Sequence, residues 1–186
     1  MDKRWEIRFA GFGGQGIVLS SVVMGLAAVY DGKFASQRAS YGSEARGGKC
    51  KSEVIVSDIE ISYPVIDNLQ VLVAMSQQAI DSYIDELGTG GLLIVDSELV
   101  DDPGKRGDVE VIKIPATKMA DRLGNRIVAN MIMLGALQAK TVIVGVNSLR
   151  KSISESVPQR FIELNLKAMD TGRNSIKRDH HDEGSI

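Results

Sequence analysis

Gly11-Phe12-Gly13-Gly14-Gln15-Gly16 follows a short run of strand character, Glu6-Ile7-Arg8-Phe9-Ala10, and opens a segment, Ile17 to Val29, with Leu19, Met24, Ala27 and Ala28 at helical spacings. The local reading is strand, glycine turn, helix. Glycines at the first, third and sixth places of such a turn permit positive φ and leave the backbone bare for close approach. The amides of a helix N-terminus then offer positive potential to an anion. The alternative is a tight turn that only packs helix on sheet.

A dinucleotide site built on this turn needs an acidic residue at the end of the next strand, where it meets a ribose. That strand reads Lys33-Phe34-Ala35-Ser36-Gln37-Arg38 and closes without Asp or Glu. Asp31 precedes it and stands at the wrong end. Next comes a loop of small residues, Ala39-Ser40-Tyr41-Gly42-Ser43-Glu44-Ala45-Arg46-Gly47-Gly48, in which Gly42, Gly47 and Gly48 bare the backbone around Glu44 and Arg46. The two charges form a solvated pair or face something docked above them. Lys49 to Ser57 then alternates, with Cys50, Ser52, Val54 and Val56 on one face, which suits an antiparallel partner and predicts a mixed sheet.

Leu69 to Met75 is a nearly unbroken apolar run, the pattern of a buried central strand. Ser76 is placed to cap a helix from Gln77 to Leu87 that Gly88 ends, and Gly91 to Asp96 is the next buried strand. Val109 to Ile114 is a further strand. Thr117 caps a short helix through Leu123. From Arg126 a longer helix begins, with Gly135 marking a close helix contact. Thr141 to Val146 reads equally as strand or helix end; Ser148 caps the next helix, and Gly172 stops the one after Pro158. The expected architecture is an α/β, three-layer α/β/α sandwich with a mixed, mostly parallel sheet and a Rossmann-like first βαβ unit. The expected division is one domain over 1–172 and a polar tail over 173–186. The glycine turn, the Tyr41 to Gly48 loop and Ser76 should share the carboxyl edge of the sheet, where ligands and partners of such sheets bind.

Chain length and composition suit a single soluble domain, 186 residues with 44% hydrophobic and 25% charged content. A net charge of −2 argues against binding nucleic acid by phosphate neutralisation. No stretch reaches membrane-spanning length, and Met1 to Trp5 runs into the first strand without an apolar signal core, so a cytoplasmic location is expected. Catalytic side chains are scarce. Both histidines, His180 and His181, stand in the tail, and Cys50, the one cysteine, sits in an alternating strand rather than at a helix N-terminus. An iron–sulfur cluster cannot be ligated by this chain alone. No catalytic residue and no metal site are assigned.

At this point a resemblance enters. The glycine turn, Tyr41-Gly42-Ser43-Glu44-Ala45-Arg46-Gly47-Gly48, Ile114-Pro115-Ala116-Thr117, Gly124-Asn125 and Asn130-Met131-Ile132-Met133-Leu134-Gly135-Ala136 resemble, in order and spacing, the gamma subunit of the 2-oxoacid:ferredoxin oxidoreductases. The likeness covers about residues 5 to 172. Ile61-Ser62-Tyr63-Pro64 and Glu163-Leu164-Asn165-Leu166-Lys167-Ala168 are most similar to the 2-oxoglutarate branch. The resemblance implies a multisubunit enzyme that turns a 2-oxoacid and coenzyme A into acyl-CoA and carbon dioxide while reducing ferredoxin. It implies alpha, beta and, where present, delta partner subunits, with thiamine diphosphate, Mg2+ and iron–sulfur clusters held there and none in this chain. The gamma subunit then packs on the catalytic core and helps to cover the coenzyme A side. Gly11, Gly13, Gly14, Gln15, Gly16, Tyr41, Gly42, Glu44, Arg46, Gly47, Gly48 and Asn130 are the expected anion- or partner-binding residues. The isolated chain is expected to be inactive, and its self-association into a homodimer is left open. The competing expectation is a self-sufficient nucleotide-binding oxidoreductase domain.

Overall fold

The computed structural model of the chain describes residues 3–41 and 48–182. Its middle layer is a six-stranded sheet of β1 (Arg4–Phe12), β2 (Phe34–Tyr41), β3 (Lys49–Ser57), β4 (Leu69–Ala74), β5 (Leu87–Asp96) and β6 (Glu110–Ile114), in the order β2-β3-β1-β4-β5-β6. β4, β5 and β6 extend from β1 in parallel, whereas β3 is antiparallel to both β1 and β2. The mixed, mostly parallel sheet is therefore present. The first βαβ unit, β1, α1 (Ile17–Tyr30) and β2, has parallel strands, yet β3 lies between them.

Helices cover the two faces unequally. On one side α1, α3 (Ala116–Arg122), α4 (Ala129–Thr141), α5 (Val146–Ser156) and α6 (Ile162–Asp182) bury Met24, Met131, Leu134, Ile153 and Met169 against Ile7, Phe9, Val54, Val73 and Ile94. Among the described residues the other side carries only α2 (Gln77–Tyr83), whose Ala79 and Ile80 pack on Leu72, Leu93 and Val95. Strand alternation sets this division, because consecutive side chains leave a strand on opposite faces. Beyond α2, that second face turns polar. Arg8, 4% exposed, pairs with Glu53 at 2.7 Å and Glu86 at 2.6 Å, and its guanidinium lies 4.8 Å from the centroid of the Tyr83 ring. Glu6, also buried, accepts from the amides of Asp67 and Asn68 and so anchors the crossover into β4.

Several local readings change. α2 stops at Tyr83, a 3-10 turn covers Ile84–Glu86, and Gly88 lies inside β5 rather than ending a helix. Thr117 is in the first turn of α3, and the buried Asp96 carboxylate, at the end of β5, accepts from both its amide (3.0 Å) and its hydroxyl (2.6 Å). Thr141 to Val146 is not a strand: Thr141 ends α4, Val142 closes it in the left-handed region at φ 51°, Ile143 and Val144 are buried, and Val146 opens α5. Gly145 caps α5, with Asp31 accepting from the Gly145 amide and the Ser148 hydroxyl. Gly172 is not a stop. A Cβ there would lie 1.9 Å from the Ile132 carbonyl oxygen, and one at Gly135 would lie 2.0 Å from that of Met169, so each helix of the α4–α6 crossing needs a bare residue. α6 thus runs through the expected tail boundary, and Ile176 is buried while Arg173 donates to Gln138 at 2.8 Å.

Candidate functional site

Because β1, β2, β4 and β5 share one direction, the glycine turn, Tyr41, Met75 and Asp96 all end up at one edge of the sheet. Hydrogen bonds join these pieces. The Gly13 amide donates to the Gly48 carbonyl at 3.0 Å, which closes the turn against the far end of the small-residue loop. Gln15 folds back over the turn: its Oε1 accepts from the Phe12 amide at 2.6 Å, and its Nε2 donates to the Met75 carbonyl at 2.9 Å. Asn130, buried in the first turn of α4, donates to the Gly16 carbonyl at 3.2 Å. The expected site residues Gly11, Gly13, Gly14, Gln15, Gly16, Gly48 and Asn130 are therefore brought together. Tyr41 pairs with Cys50 through its backbone, and Gly42, Glu44, Arg46 and Gly47 lie outside the described residues.

Each glycine serves a different need. A Cβ on Gly11 would meet Gln15 Oε1 at 2.3 Å, so the space a side chain would fill is taken by the folded-back amide. Gly16 caps α1 at φ 73°, and a Cβ there would lie 2.3 Å from Asn130 Nδ2. Gly14 has φ 95° with nothing within 4 Å of its missing side chain. Conformation fixes Gly14 and leaves it open to the outside. The turn's polarity is partly consumed, since the Phe12, Gly13 and Gln15 amides all have internal acceptors. What remains for an incoming group is the start of α1, which no side chain caps.

Two clefts flank the turn and share Gly14 and Ile127. One, of about 310 Å³, is walled by Gly16, Leu19, Val157, Pro158, Phe161 and Leu164. The other, of about 340 Å³, is walled by Gln15, Met75, Leu99, Thr117 and Arg126. Ile127, 61% exposed, forms the ridge between them. A helix was expected from Arg126 onward, whereas Ile127 sits in a 3-10 turn, Arg126–Val128, that Asn125 caps at 3.1 Å. The Gly124-Asn125 break was the signal for that turn. Arg126 and the apolar wall from α6 had no local signal.

The titratable groups near this edge are structural. Burial pushes the Asp96 carboxyl up, against the hydrogen bonds of Thr117 and Glu98 that favour its charge. Burial likewise pushes the Cys50 thiol up and away from the reactive thiolate. Among the described residues no group of three or more His, Cys, Asp or Glu could hold a metal ion, and no helix is long and apolar enough to cross a membrane.

The family model for pyruvate ferredoxin/flavodoxin oxidoreductase matches residues 6–175. The chain is 47% identical over 183 residues to 2-oxoglutarate synthase subunit KorC of Methanothermobacter thermautotrophicus, covering 95% of this chain and 97% of that protein. It is 31% identical to ketoisovalerate oxidoreductase subunit VorA of the same organism, covering 90% of this chain but 35% of that one. The crystal structure of the keto/oxoacid ferredoxin oxidoreductase gamma subunit from Geobacter sulfurreducens superposes with a TM-score of 0.83 at 41% identity, covering 94% of this chain and 99% of that one. The chain belongs to the pyruvate ferredoxin/flavodoxin oxidoreductase family, as a gamma-type subunit of a 2-oxoacid:ferredoxin oxidoreductase.

Proposed function

We propose that the complex served by this subunit acts on 2-oxoglutarate, and that the glycine turn and the Tyr41 to Gly48 loop form one docking edge for the partner subunit carrying the catalytic cofactors. The observation that carries the substrate assignment is the 47% identity to KorC along nearly its whole length, against 31% to VorA. Thiamine diphosphate, Mg2+ and the iron–sulfur clusters belong, on this reading, to alpha, beta and delta partners. Coenzyme A enters as co-substrate of the assembly, and ferredoxin is met through it. The docking assignment is supported by the geometry of the edge. Gly13 and Gly48 are bonded across it, Gly14 is bare, and the uncapped start of α1 offers positive potential.

Reconstitution with the matching alpha and beta chains tests both parts. Oxidative decarboxylation should be fastest with 2-oxoglutarate and should require this chain; equal or greater activity with pyruvate or 2-ketoisovalerate would overturn the substrate assignment. An Arg46→Glu, Glu44→Arg double variant should co-elute poorly with the partners in size exclusion. Full assembly and activity of that variant would sink the docking edge.

A further inference from the structure

α1 is fourteen residues, Ile17–Tyr30, without a single charged side chain, although it is an outer-layer helix. Its inward side is accounted for. Ile17, Ser20, Ser21, Met24, Ala27 and Ala28 are buried in the core, and Val23 meets α5 through its carbonyl, which accepts from Ser152 at 2.7 Å. The outward side is apolar as well. At about 100° per residue, Val18, Val22, Leu26 and Val29 fall within an arc of roughly 80°. Val22 is 41% and Val29 is 53% exposed, with Val18 and Leu26 half-buried. A surface helix ordinarily carries polar side chains on this face, and contiguous apolar surface of this kind marks a site of association.

The stripe leads somewhere. Leu19, beside it on the helix, is also a wall of the cleft that reaches Gly14 and Gly16 of the docking edge. Its size limits what can sit there. A helix of fourteen residues is about 21 Å long and its face roughly 10 Å wide, a few hundred Å² at most, against about 800 Å² per partner in a standard interface. Two copies of α1 stacked on each other fall short of that, so the occupant must extend past the helix along the cleft. Relatives give the same direction. VorA contains this domain as 35% of a longer chain, so the domain is compatible with direct attachment to a much larger polypeptide.

We propose that the outward face of α1 is a second docking surface, covered by an uncharged aliphatic face of the same catalytic partner subunit that takes the glycine edge. The inference rests on the subunit reading above and adds to it the apolar centre of the interface, where charged residues are ordinarily depleted. The glycine edge then forms its polar margin.

The lone native cysteine makes the test direct. Cys50 is buried, so Val22→Cys introduces one accessible thiol on the stripe, and Gly107→Cys introduces another on an exposed loop at the opposite edge of the sheet. Alkylation at position 22 should be fast in the free chain and slow about tenfold or more on assembly with the alpha and beta chains, as access is lost, while position 107 stays reactive. Val22→Lys with Val29→Glu should leave the melting of the free chain unchanged and weaken assembly. Equal alkylation at position 22 in free and assembled chain, with the wild type assembling normally, would overturn this inference and leave the subunit reading intact. Failure of the wild type to assemble would overturn both. A free chain that is dimeric, with position 22 shielded, would give the face to a second copy and overturn the proposal.

Discussion

Val142 shows what one backbone angle costs. It holds φ 51° at the end of α4, where a β-branched side chain crowds its own backbone, and at 67% exposure it recovers little from burial. Val142→Gly should therefore raise stability by about 1 kcal/mol, read as a higher urea midpoint at unchanged slope. Arg8 is the opposite case, a residue whose surroundings require it. Burial alone would push the Glu53 carboxyl up, but the charges and hydrogen bonds of Arg8 and Lys51 outweigh it and hold the carboxyl below its ordinary value. A folded value below the unfolded one stabilises the fold above the usual carboxylate range, roughly pH 4.3, and that stabilisation is lost as pH falls. Arg8→Met should cost about 2 kcal/mol near neutral pH, because Glu53, partly buried, is left with one lysine. In the variant the Glu53 carboxyl is held down less, so the loss relative to wild type should shrink between pH 7 and pH 4 in urea melts. A loss that stays constant or grows over that window would count against the Arg8–Glu53 coupling. At this scale the sequence was informative wherever the determinant was local. Ser76 accepts from the Ala79 amide as its cap position required. Thr117 was misread as a cap because its partner, Asp96, is 21 positions away and reaches it only through the β5–β6–α3 connection.

Helix α6 and its partner α4 carry the lesson at the level of elements. A glycine near the end of a helical pattern can be a terminator or a place where two backbones touch, and composition alone does not distinguish them. Gly135, in mid-pattern, was legible as a contact. Gly172 was read as a stop, yet it is the other half of the same crossing, with the two glycines facing the Met169 and Ile132 carbonyls. The obstacle is backbone on both sides, so it cannot rotate away as a flexible side chain would. Gly135→Ala and Gly172→Ala should each destabilise by about 3 kcal/mol, at the upper end of overpacking costs, while Gly107→Ala, with nothing within 4 Å, should be nearly neutral. Because both alanines push the same pair of helices apart, the double variant should lose less than the sum of the two. Denaturant melts of the three variants measure this, and strict additivity would show that the two contacts relax separately. The strands were more legible than the helix ends. β3 matches Lys49 to Ser57 as expected, with Cys50, Ser52, Val54 and Val56 all buried on the α1 side, because period-two alternation is a local property.

For the whole molecule, the order of the sheet decides between two kinds of function, and it is the feature that local patterns carry least. Alternation in Lys49 to Ser57 called for an antiparallel neighbour, but nothing near it in sequence says that it inserts between β1 and β2 with both ladders unbroken from end to end. Loop closure and long-range pairing set that, not propensity. The insertion has a chemical consequence at the glycine turn. In a dinucleotide site the strand beside the first one ends in an acidic residue that takes the ribose; here the strand beside β1 begins at that edge with Gly48 and Lys49, paired against Phe12. Gln15 fills the space over Gly11, and three amides of the turn already have acceptors. The edge is thus built to be packed against rather than to enclose a dinucleotide. The isolated chain should purify without a flavin band, and millimolar NADH, NADPH or FAD should move its melting temperature by less than about 1 °C. A nucleotide present at a hundred times its Kd would stabilise the fold by about 2.7 kcal/mol, which for a domain of this length raises the melting temperature by roughly 5–10 °C. A shift of that size with any of the three would restore the self-sufficient oxidoreductase reading, since a subunit that only docks has no reason to hold the nucleotide by itself.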